Sequence, residues 1–245
     1  VRQAASVCLK RAVHRGWASL SNDDQFPSDC HQLREAVLSA SIAPFDLIPS
    51  QVQSQLSLVV ARMARTDYPH RWPNLMASLF SAITTSPHSK LQALDVLNNV
   101  VKSLASRRLT PELKAFREIS PALLDLAHRE LSIILQQHFT SPSPSSNPNP
   151  PKEAAVLSAR LAKRVLILGI ENINSCDSSR RYLDDVLSLI TSMISSSSSE
   201  SLFDETLMRV MMKTIRKKHK REPLQFAQHY LEPFMTLFFR LVVLP

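Results

Sequence analysis

The sequence predicts an all-α protein made of antiparallel helix pairs, and three observations carry that expectation. Apolar residues recur at spacings of three and four almost throughout, which places them on one face of successive helices. Only two of the 245 residues are glycine, Gly16 and Gly169. Hairpin turns, phosphate-cradling loops and nucleotide-binding fingerprints all need glycine for positive φ or close backbone approach, so none is expected. Finally, alternate helices begin at a nearly regular spacing. No stretch alternates with a period of two between turn residues, and no sheet is expected.

The elements follow in order from the apolar stripes. Ala5, Cys8, Leu9, Ala12 and Val13 form the first, and Leu33 and Val37 begin the second. Val52, Leu56, Val59, Val60 and Met63 make the third, and Leu91, Leu94, Leu97, Val101 and Leu104 the fourth. Phe116, Ile119, Leu123, Leu126 and Ile134 continue the series, followed by Leu157, Leu161, Val165 and Leu168. Leu183, Val186, Leu187, Ile190 and Ile194 come next, then Phe203, Leu207, Val210 and Met211, and finally Phe226, Tyr230, Phe234, Leu237 and Leu241. Ser86-Pro87 and Thr110-Pro111 each set a capping hydroxyl before a proline suited to a first helical turn. Ser50 and Gln53 have capping-box spacing. Pro121 falls inside a long helical pattern and predicts a kink or break.

Every second helix is expected to start near Asp29, Trp72, Glu112, Ser179 and Leu224, giving gaps of 43, 40, 67 and 45 residues. Three of these match the roughly 40–47 residue period of HEAT or armadillo units. The predicted fold is therefore a HEAT-repeat (ARM-like) right-handed α-solenoid. The long gap holds the Ser/Pro-rich stretch 140–151, read as a flexible loop inside one enlarged repeat. The serine run 195–199 reads as a turn. A two-helix unit cannot bury both its faces alone, so stacked units share a core and expose an inner wall and an outer wall. Such a wall suits the wrapping of a protein surface and offers no enclosed pocket for chemistry.

The composition, 44% hydrophobic and 20% charged, is that of a folded globular chain. Cys8, Cys30 and Cys176 are scattered and form no CxxC pair, as expected of core thiols in a reducing compartment. No apolar run reaches a membrane span. The helical pattern is already under way at Val1 and still running at Pro245, and the chain is read as a fragment of a longer protein. The net charge of +8 suggests acidic partners or nucleic acid, although the cations are not gathered on one predicted face. The densest run, Arg216 to Arg221, reads either as a localisation or nucleic-acid patch or, preferred here, as a helix C-terminus whose cations complement the carbonyl dipole. No two of the eight histidines sit at ligand spacing, no nucleophile motif is present, and the carboxylates fall on exposed helix faces. No catalytic residue, metal or cofactor is expected.

One segment is more specific than the rest, Ala61 to Phe80, where a helix ends and a turn carries Tyr68, Pro69, Trp72 and Pro73 before the next helix begins. Pro69, Trp72 and Pro73 are read as a repeat junction in which Trp72 is wedged between two units.

Together with the opening helix, this segment resembles the amino-terminal region of importin-β (karyopherin-β) superfamily nuclear transport receptors. The family's R-x-x-A-x-x-x-x-K helix is matched by Arg2, Ala5 and Lys10, with Trp17 nearby, and its D-x-P-x-x-W-P turn by Asp67, Pro69, Trp72 and Pro73. A later segment, with Lys102, Leu104, Ala105, Ser106, Arg108 and Leu109, is similar to the importin-eleven branch. The resemblance covers Val1 to Phe116 and departs from the family in being basic.

It implies a receptor that binds cargo proteins, touches Phe-Gly nucleoporins and answers to the small GTPase Ran in its GTP form, shuttling between cytoplasm and nucleus through the nuclear pore. Residues 1–20 would then be the last part of the Ran-binding amino-terminal domain, and 21–245 the HEAT-repeat solenoid. The Ran-side candidates lie opposite the apolar stripes of the inner helices: Gln3, Lys10 and His14, then Ser54 and Arg65, then Asn99 and Ser103. An exportin of the same superfamily and a static HEAT scaffold remain the alternatives. A third reading, an RNA-binding repeat, lacks aromatic residues near its basic run, and neither a membrane nor direct nucleic-acid contact is expected.

Overall fold

In the computed structural model, residues 1–23, 25–44, 47–106, 110–140, 149–195 and 205–243 are described. Ten α-helices and one 3₁₀ turn make up their regular structure, with no strand among them. The helices are α1 (Arg2–Asn22), α2 (Pro27–Ser41), α3 (Ser50–Asp67), α4 (Leu75–Thr85), α5 (Lys90–Leu104), α6 (Thr110–Thr140), α7 (Asn149–Leu168), α8 (Asp177–Ser195), α9 (Glu205–Arg221) and α10 (Pro223–Val243). The even-numbered helices α2, α4, α6, α8 and α10 begin within about a turn of the five predicted starts. The chain has the all-α, HEAT-repeat fold of stacked helix pairs. It divides into two compact units, Val1–Phe116 and Arg117–Pro245.

In the first unit α3 packs between α1 and α5, while α2 lies on α3 and α4 on α5. One row of helices is thus backed by a second, as repeat stacking requires. Val59, Val60, Met63, Ala64, Leu94, Leu97, Val100 and Val101 are almost wholly buried along the α3–α5 seam. In the second unit α7 packs against α9, and α10 against α8 and α9. Its core includes Leu161, Val165, Leu183, Val186, Ile190, Met211, Ile215 and Phe226.

Several expectations change. The α1 stripe is out of phase with its buried face: Ala5, Cys8 and Ala12 are exposed, and Ser6, Val13, Trp17 and Ser21 are buried. Small residues misled the reading, because alanine and serine sit as easily outside a core as within it. Of the three thiols only Cys30 is buried, with Cys8 exposed and Cys176 between. Leu168 is exposed at the end of α7. Pro121 does not break α6. It lies on the exposed side, where water can reach the carbonyl that its missing N–H leaves unpaired.

Two start signals also differ. Pro87 lies in a turn, and α5 begins at Lys90. Ser50 and Gln53 form no capping box: Ser50 is already helical, and Gln53 Nε2 donates to the Ala43 carbonyl at 2.5 Å. The predicted loop 140–151 is helical at both borders, since α6 ends at Thr140 and α7 begins at Asn149. Its interior, 141–148, lies outside the described residues, as do Phe203 and the serines beyond Ser195.

Candidate functional site

The turn after α3 shows what the D-x-P-x-x-W-P pattern does. The Asp67 carbonyl accepts from the amides of Arg71 at 2.7 Å and Trp72 at 3.2 Å, closing the turn, and the Tyr68–Pro69 peptide is cis. Meanwhile its carboxylate faces inward. It accepts from Trp17 Nε1 at 3.0 Å, from Ser21 Oγ at 2.5 Å and from Arg34 Nε at 2.7 Å. Arg34 also donates to the Arg71 carbonyl at 3.0 Å, and its guanidinium lies 5.7 Å from the Trp17 ring centroid. Trp72 is 2% exposed and donates from Nε1 to Glu35 at 3.0 Å. Of the three residues read as the junction, Trp72 is buried, whereas Pro73 is exposed and Pro69 half-buried.

Carboxylates are therefore not confined to exposed faces, since Asp67, Glu130 and Glu222 are all buried. Sequence reading missed Arg34, although a signal was available. It falls in phase with Cys30, Val37, Leu38 and Ser41 on the buried stripe of α2, and a cation at a core position calls for a buried anion.

On the other side of α1, α3 and α5 an open cleft of about 660 Å³ is lined by Lys10, Arg11, His14, Arg15, Leu58, Ala61, Arg62, Arg65, Asn99, Lys102, Ser103 and Ser106. Five of the seven predicted inner-face residues meet there, Lys10, His14, Arg65, Asn99 and Ser103, while Gln3 and Ser54 do not. Six cations and no carboxylate line it. A cleft of one sign focuses its field on an approaching partner of the other sign. Basic charge is thus gathered, contrary to the expectation from single helices, because the cations of α1, α3 and α5 are far apart in sequence.

Not all of these groups are available to a partner. Arg65 donates to the Ser103 carbonyl at 3.3 Å and to Ser106 Oγ, tying α3 to the end of α5. Arg62 donates to the His14 carbonyl at 3.4 Å. Asn99 donates to Ser57 Oγ at 2.7 Å and Asp95 Oδ2 at 3.3 Å. The hydroxyl of Ser54 donates back to the Ser50 carbonyl within its own helix, and Gln3 is exposed.

The second unit resolves the Arg216–Arg221 run into two kinds of residue. Lys218 is fully buried and donates from Nζ to the carbonyls of Leu166 at 3.2 Å and Ile170 at 3.0 Å, and to Glu222. Arg221 donates to the Ile167 carbonyl. These cations complete the carbonyls left open at the end of α7. Burial lowers the Lys218 pKa, and the Glu222 carboxylate opposes that shift. Arg216, Lys217 and Lys220 are exposed. No group of three metal-ligating side chains occurs among the described residues, and no helix among them is long and apolar enough to cross a membrane.

The chain is thus a helical-repeat protein with a basic cleft, and comparison with known proteins adds to that. Residues 49–149 match the family described as Exportin 1-like protein (Xpo1). Importin beta-like protein kap113 of Schizosaccharomyces pombe is 25% identical over 84% of this chain and 22% of its own length. Importin-11 of Homo sapiens is 25% identical over 52% of this chain and 13% of its own. Exportin-2 of Xenopus laevis is 30% identical over 32% of this chain and 8% of its own. The solved structure of Lph2, a bidirectional nuclear transport receptor of S. cerevisiae, superposes with a TM-score of 0.72 over 94% of this chain and 25% of that one, at 18% identity, and shares the fold. In sequence the chain is thus similar to importins and exportins of the importin-β superfamily. It spans a quarter or less of the length of each of these proteins.

Proposed function

We propose that this chain is the amino-terminal region of a nuclear import receptor, binding Ran-GTP along the inner face of α1, α3 and α5. In this reading residues 1–20 close the Ran-binding domain and 21–245 open the solenoid. The whole receptor carries cargo proteins, touches Phe-Gly nucleoporins and shuttles through the nuclear pore. No catalysis, cofactor, membrane or direct nucleic-acid contact belongs to the reading. The observation that carries it is the meeting of Lys10, His14, Arg65, Asn99 and Ser103 in one basic cleft. The relatives, importins and exportins, support it.

A receptor must hold cargo in one compartment and release it in the other. That requires an effector with different affinity for the loaded and unloaded states, and reciprocity makes Ran-GTP and import cargo weaken each other. Titration calorimetry of the full-length receptor should show clear preference for Ran-GTP over Ran-GDP. Lys10→Glu combined with Lys102→Glu should weaken Ran-GTP binding about tenfold or more without unfolding the protein, because both side chains line the cleft and reversal of sign at a charged interface raises repulsion. Absence of nucleotide dependence would leave a static scaffold as the better reading. Cargo binding that tightens with Ran-GTP would make the receptor an exportin.

A further inference from the structure

A second basic surface lies on the other unit. On α7, Arg160, Lys163 and Arg164 follow one another at helical spacing, and on α9 Lys213, Lys217 and Lys220 do the same. The two helices pack side by side. Arg160, Lys213, Lys217 and Lys220 are exposed and Lys163 is half-buried. Burial lowers the pKa of Lys163, and the charges that add to the shift, Lys217, Arg164, Arg160 and Lys213, are all positive. The rows are held in place by Lys218 and Arg221, whose bonds to the carbonyls of Leu166, Ile167 and Ile170 fasten α9 to the end of α7.

Helix-end electrostatics explain only part of this surface. Cations in the last turn of α9 complement its carbonyls. Arg160 and Lys163 lie inside α7, however, more than a turn before its end at Leu168, where the dipole has little hold on them. Like charges brought together across a helix seam repel, so a partner of opposite sign is favoured there.

We propose that the paired basic faces of α7 and α9 dock an acidic, extended peptide segment of a protein partner. Neighbouring helices lie about 8–10 Å apart, and the row from Lys213 to Lys220 rises about 10 Å at 1.5 Å per residue. An extended chain covers about 3.3 Å per residue, so three or four residues cross the patch, and every second one turns its carboxylate to the cations. A nucleic-acid interface is larger, about 600–1,000 Å² even for a single module, and single strands need aromatic platforms for stacking. None of the six residues is aromatic. The aromatic groups of this region, His219, Phe226 and Phe234, pack on one another.

The test is fluorescence anisotropy of the 245-residue chain with a labelled glutamate-rich peptide, beside an oligothymidine carrying the same charge. The peptide should bind, more weakly as salt rises, and Lys213→Gln with Lys217→Gln should weaken it about tenfold, as loss of two charge contacts implies. Both side chains are exposed, so unchanged circular-dichroism melting is expected of that variant. Lys10→Gln with Lys102→Gln, in the other unit, should leave peptide binding as it was. Equal weakening by both pairs would reduce the effect to diffuse attraction by a chain of charge +8. No binding, or tighter binding of the oligothymidine, overturns the proposal. It stands apart from the Ran reading, since each pair of substitutions probes one surface.

Discussion

A carboxylate taken out of water must be met by donors, and Asp67 is met by three side chains from α1 and α2. Removing one partner of such a set leaves the other charge buried without compensation. Asp67→Ala should therefore cost about 3–5 kcal/mol, chiefly because Arg34 is stranded. Asp67→Asn keeps an acceptor for Trp17 and should cost less. Urea denaturation reads both, with a lowered midpoint at an unchanged slope. At this scale the sequence was half legible. Trp72 was readable as a buried side chain, since a large aromatic in a short turn between two apolar helices has few other places to go. The direction in which Asp67 points was not readable, because its donors Trp17, Ser21 and Arg34 lie 33–50 residues away.

Single helices show where periodicity succeeds and where it cannot. The stripes of α3 and α5 were read in phase because Val, Leu and Met have one favourable side. That of α1 was not, because its small residues carry too little apolar area to choose. Close approach between elements is also invisible to a stripe. A Cβ built on Gly169 would lie 2.6 Å from the Ser120 Cβ and 1.9 Å from its Oγ, so the glycine is required by contact. Gly169→Ala should destabilise the protein by about 1–3 kcal/mol, as overpacking does, read as a lowered melting temperature. Pro121 should behave in the opposite way. It sits exposed inside α6, and Pro121→Ala restores a backbone donor, for a gain of about 1–3 kcal/mol on the same assay.

For the molecule as a whole, the repeat period was legible because it needs only helix starts, whereas the two basic surfaces were not. Each gathers cations from helices that lie tens of residues apart, and a reading made helix by helix scatters them. The two units also make a thermodynamic prediction. Asp67 and Lys218 belong to different units and share no bonding partner. Asp67→Asn and Lys218→Met should then have effects that add within about 0.5 kcal/mol, as for independent sites. A larger coupling energy in the double-mutant cycle, measured by denaturant unfolding, would show that the units stabilise each other.

The Asp67 cluster has a further consequence for how α1, α2 and α3 slide past one another. Leucine and valine seams are nearly degenerate: two helices shifted by a turn often find a second set of apolar partners. Donors and acceptors with directional bonds are not degenerate. Moved by one 5.4 Å turn, Trp17 and Arg34 would lose Asp67 together and leave three polar groups dry. Where flexing of a helical array is a matter of small slips spread over many joints, this joint is a stop.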